Sequence, residues 1–461
     1  MSRRSPANHR PASETTDNRN DRSKGAASVI TETTGEVFDD GSIIELLYDE
    51  AHLTNLLLCD GSSRTLARQI HHHGLILRAL ELEPGLRQSM TLPSGAADYG
   101  TSSKLFDSIS RVFASAGFAQ IADALCLFVF SSWFPEFVIE PPLLVVAGPR
   151  AEGNCLLQVL ACLVRRPLPL LAPTPGALAS IFAARVSPTL LINATTLRPD
   201  KILFWLASGA AASNVIVRGK FVDVCTARAI FVGQSLPVAP GQYPMLLVNV
   251  EPASESLPVI RTEERRRLSA EFQPQLLEYR LRNFDKVRKS HFDLPHAATA
   301  IRIAAGILGA AVAGAPELEA KVRKVLACQQ EAYADSLWLD LRSVTIEAAL
   351  ARCHERDRKD FLVGELTNDV MAIFAGRGEN IKIASREVGG ILRSVGIAGK
   401  RQGPGFRIKL TPLLRQKVHR LARSHCIPVT AQGAAKCPEC LQAATGEAPK
   451  GRSQTAGSGN E

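Results

Sequence analysis

Large apolar residues are almost absent from residues 1 to about 40, a stretch of Ser, Thr, Asn, Asp, Arg and Pro. Such a segment buries too little surface to offset the entropy of ordering it, so residues 1–41 are expected to form a disordered arm. From Ser42 the pattern changes. Mainly apolar runs, IIELLY and LTNLLLC, occupy 43–48 and 53–59, separated by Asp49-Glu50-Ala51-His52 and closed by Asp60-Gly61. This predicts two strands of a hairpin, the opening of a small β-containing unit over 42–98. Residues 103–136 then carry Leu105, Ile109, Val112 and Phe113 at helical spacing. Short continuous apolar runs follow at 143–146, 189–192, 214–217, 229–232 and 245–248, with a helix candidate at 155–164. Runs of this kind, alternating with helical or loop segments, predict strands covered on both faces and hence an α/β, largely parallel, doubly wound sheet over 103–258. Four helical windows, 270–290, 296–313, 317–337 and 340–355, make 262–356 a helical domain.

Two apolar stretches, 118–134 and 303–316, are each shorter than about 18 unbroken apolar residues and are read as buried helices. No apolar segment stands behind the basic N-terminal residues, so no secretory signal is expected. The ten cysteines are too sparse over 461 residues for a disulfide framework. A cytoplasmic protein with no membrane partner is the expectation.

Charge changes the picture more than composition does. Between Leu366 and His425 there are twelve Lys and Arg against three acids, an excess equal to the net +9 of the whole chain. One segment thus supplies the entire imbalance, as expected of a module that meets a polyanion. Within it, 362–375 is an amphipathic helix and Ser385 precedes a second short helix ending at Gly396. Gln402-Gly403-Pro404-Gly405 closes a basic hairpin, and Thr411-Pro412 opens a last helix.

The first central strand is followed by Gly148-Pro149-Arg150-Ala151-Glu152-Gly153-Asn154-Cys155 and an apolar helix. The spacing is that of the phosphate-binding loop G-x-x-x-x-G-K-[ST], in the strand–loop–helix setting it requires. Asn154 replaces the lysine that contacts the β- and γ-phosphates, and Cys155 the hydroxyl that holds Mg²⁺. A neutral amide does not supply the lysine's charge, and a thiol is a soft ligand for a hard cation. The strand at 189–192 ends in Asn193-Ala194, where an ATPase carries an acidic pair. No Lys or Arg lies between Ala229 and Ile260 to act as an arginine finger.

The segments LLVVAGPRAEGNCLLQVLACLVRRPLPLL, APTPGALASI, TLLINATT and AIFVGQSLP resemble the AAA+-like, primase–helicase-type P-loop ATPase core of phage, plasmid and mobile-element replication modules. The resemblance covers roughly 103–255. It implies a mainly parallel sheet flanked by helices and a nucleotide site at Gly148, Arg150, Gly153, Asn154, Cys155 and Asn193, vestigial here because every charged catalytic position is replaced. No catalytic residue is assigned. Weak nucleotide binding through backbone amides at the helix N-terminus remains open.

The order helix, helix, basic hairpin, helix over 360–425 resembles a winged-helix domain. That resemblance places Arg386 and Arg393 in a DNA groove, and Lys400, Arg401, Arg407 and Lys409 on phosphates. Beyond it, His425 with the three thiols of Cys426 and the pair Cys437 and Cys440 offers the donors of a tetrahedral zinc site, against the alternative of a reduced, flexible tail over 426–461. Three adjacent histidines at 71–73 point in different directions and do not make a shared metal site; a partly exposed polar turn is expected.

The combined expectation is a DNA-binding pseudo-ATPase of replication or mobile-element type, whose core serves as a scaffold for a homo-oligomer or beside an active relative. Two alternatives stand beside it. One is a noncanonical ATPase or helicase using Arg150 for the missing lysine; the other is a protein-interaction scaffold that does not bind DNA.

Overall fold

The computed structural model describes residues 30–49, 51–136, 140–174, 176–177, 186–207, 214–217, 220–223, 226–233, 243–252, 260–355, 358–403, 405–425, 427 and 437. Strands β1 (Ile30–Thr33), β2 (Gly35–Val37), β3 (Ile43–Tyr48), β4 (Thr54–Asp60), β5 (Ser63–Ala67), β6 (Gln69–His72) and β7 (Leu75–Ala79) open the chain. They form a four-stranded sheet in the order β2-β3-β4-β5 and a three-stranded one in the order β1-β7-β6. The expected hairpin is β3–β4, with Ile43 opposite Cys59 and Tyr48 opposite Thr54. Contrary to expectation, β1 and β2 lie upstream of residue 42. Their bonds run to distant or following strands, β1 to β7 and β2 to β3, and this pairing orders a stretch whose own composition is too polar to order itself. The histidine run also differs from the expected turn: His71 and His72 end β6, and only His73, with φ 48°, lies in the turn.

Helix α1 (Pro84–Ser89) leads into α2 (Ser102–Ser115) and α3 (Ala122–Ser132). Nearly every side of α3 is apolar and buried, as in a helix surrounded by core. Among the described residues no helix is long and apolar enough to cross a membrane.

The central unit comprises β8 (Leu143–Ala147), α4 (Arg150–Leu163), β9 (Pro167–Leu171), β10 (Thr189–Asn193), α5 (Pro199–Ala207), β11 (Asn214–Val217), β12 (Lys220–Asp223), β13 (Arg228–Gly233) and β14 (Leu246–Asn249). Five of these strands form one parallel sheet in the order β14-β8-β13-β10-β9, a P-loop-type sheet flanked by helices. Side chains alternate between its faces. Leu144, Val146, Leu191 and Phe231 join the core under α4, whereas Leu143, Val145, Leu190 and Ile192 pack with Ile202 and Trp205 of α5.

Two strands depart from the expected pattern. The run 214–217 pairs antiparallel with β12 in a separate two-stranded sheet. The strand β9 was hidden by Pro167 and Pro169, since proline cannot donate to a ladder; it is tolerated here because β9 is the edge of the sheet.

Helices α6 (Thr262–Arg288), α7 (Thr299–Ala311), α8 (Pro316–Leu337) and α9 (Leu341–His354) occupy the four helical windows. The Ala- and Gly-rich α7 buries Ile301, Ala304, Ala305 and Leu308. The last unit contains β15 (Asp360–Leu362), α10 (Val363–Gly376), α11 (Ser385–Ser394), β16 (Lys400–Gln402), β17 (Gly405–Lys409) and α12 (Pro412–Ser424). Strand β15 pairs antiparallel with β17 and extends the hairpin to three strands, β15-β17-β16. Its core unites Leu366, Phe374, Leu392, Ile408 and Val418 with Val344, Ile346 and Leu350 of α9. By its packing α9 therefore belongs with this C-terminal unit and not with the helices before it, where its periodicity alone had grouped it.

A buried ion cluster ties the first three units together. Glu45 on β3 accepts from Arg165 at 2.7 Å, from Arg166 at 2.8 Å and from Arg280 of α6 at 2.7 Å. Glu136 accepts from Arg165 at 3.1 Å and Arg280 at 3.0 Å. Burial works against the charge on Glu45, but the Arg165, Arg280 and Arg166 guanidiniums prevail and hold its pKa down at about 2.

Candidate nucleotide and nucleic-acid sites

In a phosphate-binding loop the segment between the two glycines stays open, so that its backbone N–H groups cradle an anion. Here β8 ends at Ala147 and α4 begins at Arg150, with Pro149 as its N-cap. Only Gly148 and Pro149 separate strand from helix, so four of the six residues expected to form the loop, from Arg150 to Gly153, are helical. The Gly148 amide donates to the Gly233 carbonyl at 2.8 Å and the Gly153 amide to the Pro149 carbonyl at 3.1 Å. Proline has no N–H to offer. Glu152, buried in the first turn of α4, sets a carboxylate at the helix end that would otherwise attract a phosphate.

Both glycines are accounted for without a ligand. Gly148 has φ 151°, and a Cβ there would lie 2.5 Å from the Val250 carbonyl oxygen just past β14. A Cβ on Gly153 would fall 2.2 to 2.4 Å from three ring atoms of Phe231 on β13. The glycine spacing thus serves the close approach of α4 to β13 and of the turn after β8 to the chain just past β14.

The structure brings Asn154 and Asn193 together. The Asn193 side-chain amide donates to Asn154 Oδ1 at 2.7 Å, while Asn193 Oδ1 accepts from the Thr195 amide at 3.1 Å and its hydroxyl at 2.7 Å. A neutral pair of amides, bonded to each other, spans the places where a lysine and a metal-binding acid would face a nucleotide. Cys155 is buried on α4, where desolvation pushes its thiol up. Arg150 is exposed at the start of α4.

The basic residues of the C-terminal unit divide into two groups. Arg377 bonds Glu347 at 2.5 Å and stacks on Trp338, 4.0 Å from the ring centroid. Arg415 donates to the Cys353 and Arg358 carbonyls, and Lys417 to the Gly396 carbonyl at 2.8 Å. These cations hold the unit together. Arg386, Lys400, Arg401 and Lys409 are exposed, as are Lys382, Arg420 and Arg423. Arg393 is exposed as well and donates to Gly389 on its own helix at 3.2 Å. Arg407 is half-buried and pairs with Asp360 at 3.5 Å.

On α11 the buried Val388 and Leu392 fix the inner side. Arg386, Gly390 and Arg393 follow at helical spacing on the outer one; nothing lies within 4 Å of where a Gly390 side chain would begin, whereas one at Gly389 would meet Val363 Cγ1 at 3.6 Å. On the hairpin Lys400 stands directly opposite Arg407, and Lys409 lies two residues on and therefore on the same face. Like charges in register destabilise a sheet unless something neutralises them; Asp360 does so only in part.

Of the three thiols read as a zinc site, Cys426 and Cys440 lie outside the described residues. Cys437 is buried, with its sulfur 3.2 Å from His419 Nε2, which in turn lies 3.2 Å from His354 Nε2. Sequence reasoning missed both histidines, because they sit 65 positions apart on α9 and α12 and no spacing links them. A second group joins Asp40, His72 and His73, in which His73 Nε2 contacts Asp40 Oδ2 at 2.7 Å and His72 Nε2 contacts the Ser42 hydroxyl at 2.7 Å.

No known protein family matches the chain, and no curated protein does. Among solved structures, the chain is similar to the active helicase Cch of SCCmec type IV, at 10% identity over 85% of this chain and 81% of that one, with a TM-score of 0.41. The C-terminal region of NrS-1 aligns at 9% identity over 79% of this chain and 96% of that one, with a TM-score of 0.33. A full-length MCM homologue from Methanopyrus kandleri aligns at 10% identity over 63% and 78%, with a TM-score of 0.32. Likenesses this distant carry no argument about function; the fold stands on the strand order and registers of the chain itself.

Proposed function

We propose that this chain is a DNA-binding protein of replication type, whose C-terminal unit is a winged helix and whose P-loop-type core is a scaffold without ATP hydrolysis. One observation carries the DNA reading. Arg386, Arg393, Lys400, Arg401 and Lys409 are exposed along α11 and the β16–β17 hairpin, and none makes an ion pair among the described residues. In a winged-helix docking, α11 enters the major groove with Arg386 and Arg393 toward the bases, and the hairpin lies on the phosphates. The small outer position Gly390 lets the helix backbone approach closely.

The scaffold reading is supported by the early start of α4, which leaves only Gly148 and Pro149 between strand and helix, by the Glu152 carboxylate in its first turn and by the Asn154–Asn193 pair. The replication setting rests on the resemblance of the segments around 143–193. Fluorescence anisotropy of the full chain with duplex DNA at low salt tests the DNA half. Wild type is expected to bind, and the double variant Arg386→Ala/Arg393→Ala to bind at least about tenfold more weakly. Absence of binding by folded full-length protein would overturn it. A protein-binding reading draws on exposed Phe406 and Leu413, 54% and 78% accessible; salt separates the two, since only phosphate contacts give a steep loss of affinity with ionic strength.

A further inference from the structure

We propose that His354, His419 and Cys437 bind a structural zinc ion that pins the chain beyond α12 to the α9–α12 seam; the proposal is independent of the DNA reading. The three donors come from separate places: the last residue of α9, the middle of α12, and a point beyond α12 in the chain. Their ligand atoms all lie within 4.8 Å of one another. His419 and Cys437 are buried, 5% and 8% accessible.

The ring of His419 is held in one tautomer. Its Nδ1 lies 2.7 Å from the Arg415 carbonyl oxygen, which can only accept, so Nδ1 carries the proton and Nε2 presents its lone pair. That lone pair faces His354 Nε2 and Cys437 Sγ, each at 3.2 Å. A backbone carbonyl behind the distal ring nitrogen is the usual outer-shell partner of a metal-bound histidine. Arg415 adds rigidity by donating from its guanidinium to the Cys353 and Arg358 carbonyls, which locks α12 against the end of α9.

The spacing fits the ion. Zinc bonds nitrogen at about 2.0–2.1 Å and sulfur at about 2.3 Å in a tetrahedron, so two nitrogens on it lie about 3.3 Å apart and a nitrogen and a sulfur about 3.5 Å apart. The observed 3.2 Å separations are already close to these edges. A mixed imidazole and thiolate set favours zinc over the hard cations Mg²⁺ and Ca²⁺.

The test uses the full chain, purified reduced and without added metal. Elemental analysis is expected to find about one zinc per chain, falling to background in Cys437→Ser and in His354→Ala, while Cys328→Ser, at an exposed thiol away from the cluster, keeps it. Cobalt added to zinc-stripped wild type is expected to give a thiolate-to-cobalt charge-transfer band, which needs no variant to fold. Wild type with neither zinc nor that band, or folded Cys437→Ser retaining full zinc, would overturn the proposal.

Discussion

Glu45 sits on a strand whose every residue is buried, facing three guanidiniums. Replacing it with Gln leaves those cations with no full countercharge among them but the half-exposed Glu136, and removal of one partner from a buried charge network costs about 3–5 kcal/mol. Glu45→Gln should lose that much in denaturant-induced unfolding. The sign of the pH dependence follows from a pKa of about 2 in the folded state, below the unfolded value of about 4.3. The contribution is complete above the unfolded value and disappears as pH falls through the folded one, so stability should drop between about pH 4.3 and about 2, and Glu45→Gln should lack this part of the drop. Gly153→Ala forces a methyl into the Phe231 ring and should destabilise by about 1–3 kcal/mol; a calorimetric melt reads it. Neither position is legible in sequence. A glutamate inside the run IIELLY looks like the polar side of an alternating strand, and Gly153 fits a phosphate loop as well as it fits an aromatic ring. Only the residues brought against them decide between the readings: Phe231 of β13 for Gly153, and Arg165 and Arg166 from the turn after α4 with Arg280 of α6 for Glu45.

Elements were legible where periodicity was long or punctuation strong. The windows for α6 to α9 follow from helical spacing, and the α11–hairpin–α12 order from Gly396 and Thr411-Pro412, of which Thr411 caps α12 through its side chain; Ser385, read as an N-cap, is instead the first residue of α11, with Ala384 at the cap and no side-chain bond there. Elements decided by which strand they pair with were not legible. β1 and β2 are ordered by β7 and β3, β9 is admitted by its edge position, and a run as strand-like as 214–217 joins a hairpin instead of the central sheet. The like-charged register of Lys400 and Arg407 is a feature of this scale with a direct consequence. Lys400→Ala and Lys409→Ala should each weaken DNA binding nearly uniformly across sequences and reduce the slope of log affinity against log salt by about one, read by anisotropy over a salt series. Lys400→Ala should at the same time leave thermal stability unchanged or slightly raised, because it relieves the in-register repulsion.

For the whole molecule, the charge excess lies at one end and the P-loop-type sheet in the middle, with different chemistry at each. The sequence revealed the charge localisation and the substitutions at Asn154 and Asn193, but glycine spacing does not reveal whether a loop stays open. That depends on where α4 starts, and the helix starts early enough to take Arg150 to Gly153 out of the loop. On the proposed reading of the core as a scaffold, the core is expected to hold no nucleotide and the molecule to work through its C-terminal unit. Thermal shift of the folded full chain with ATP and ADP, with and without Mg²⁺, tests it most directly. The account predicts an unchanged melting temperature in all four conditions. A Mg²⁺-dependent rise that is abolished by Arg150→Ala would contradict it and return the core to the nucleotide-binding enzymes.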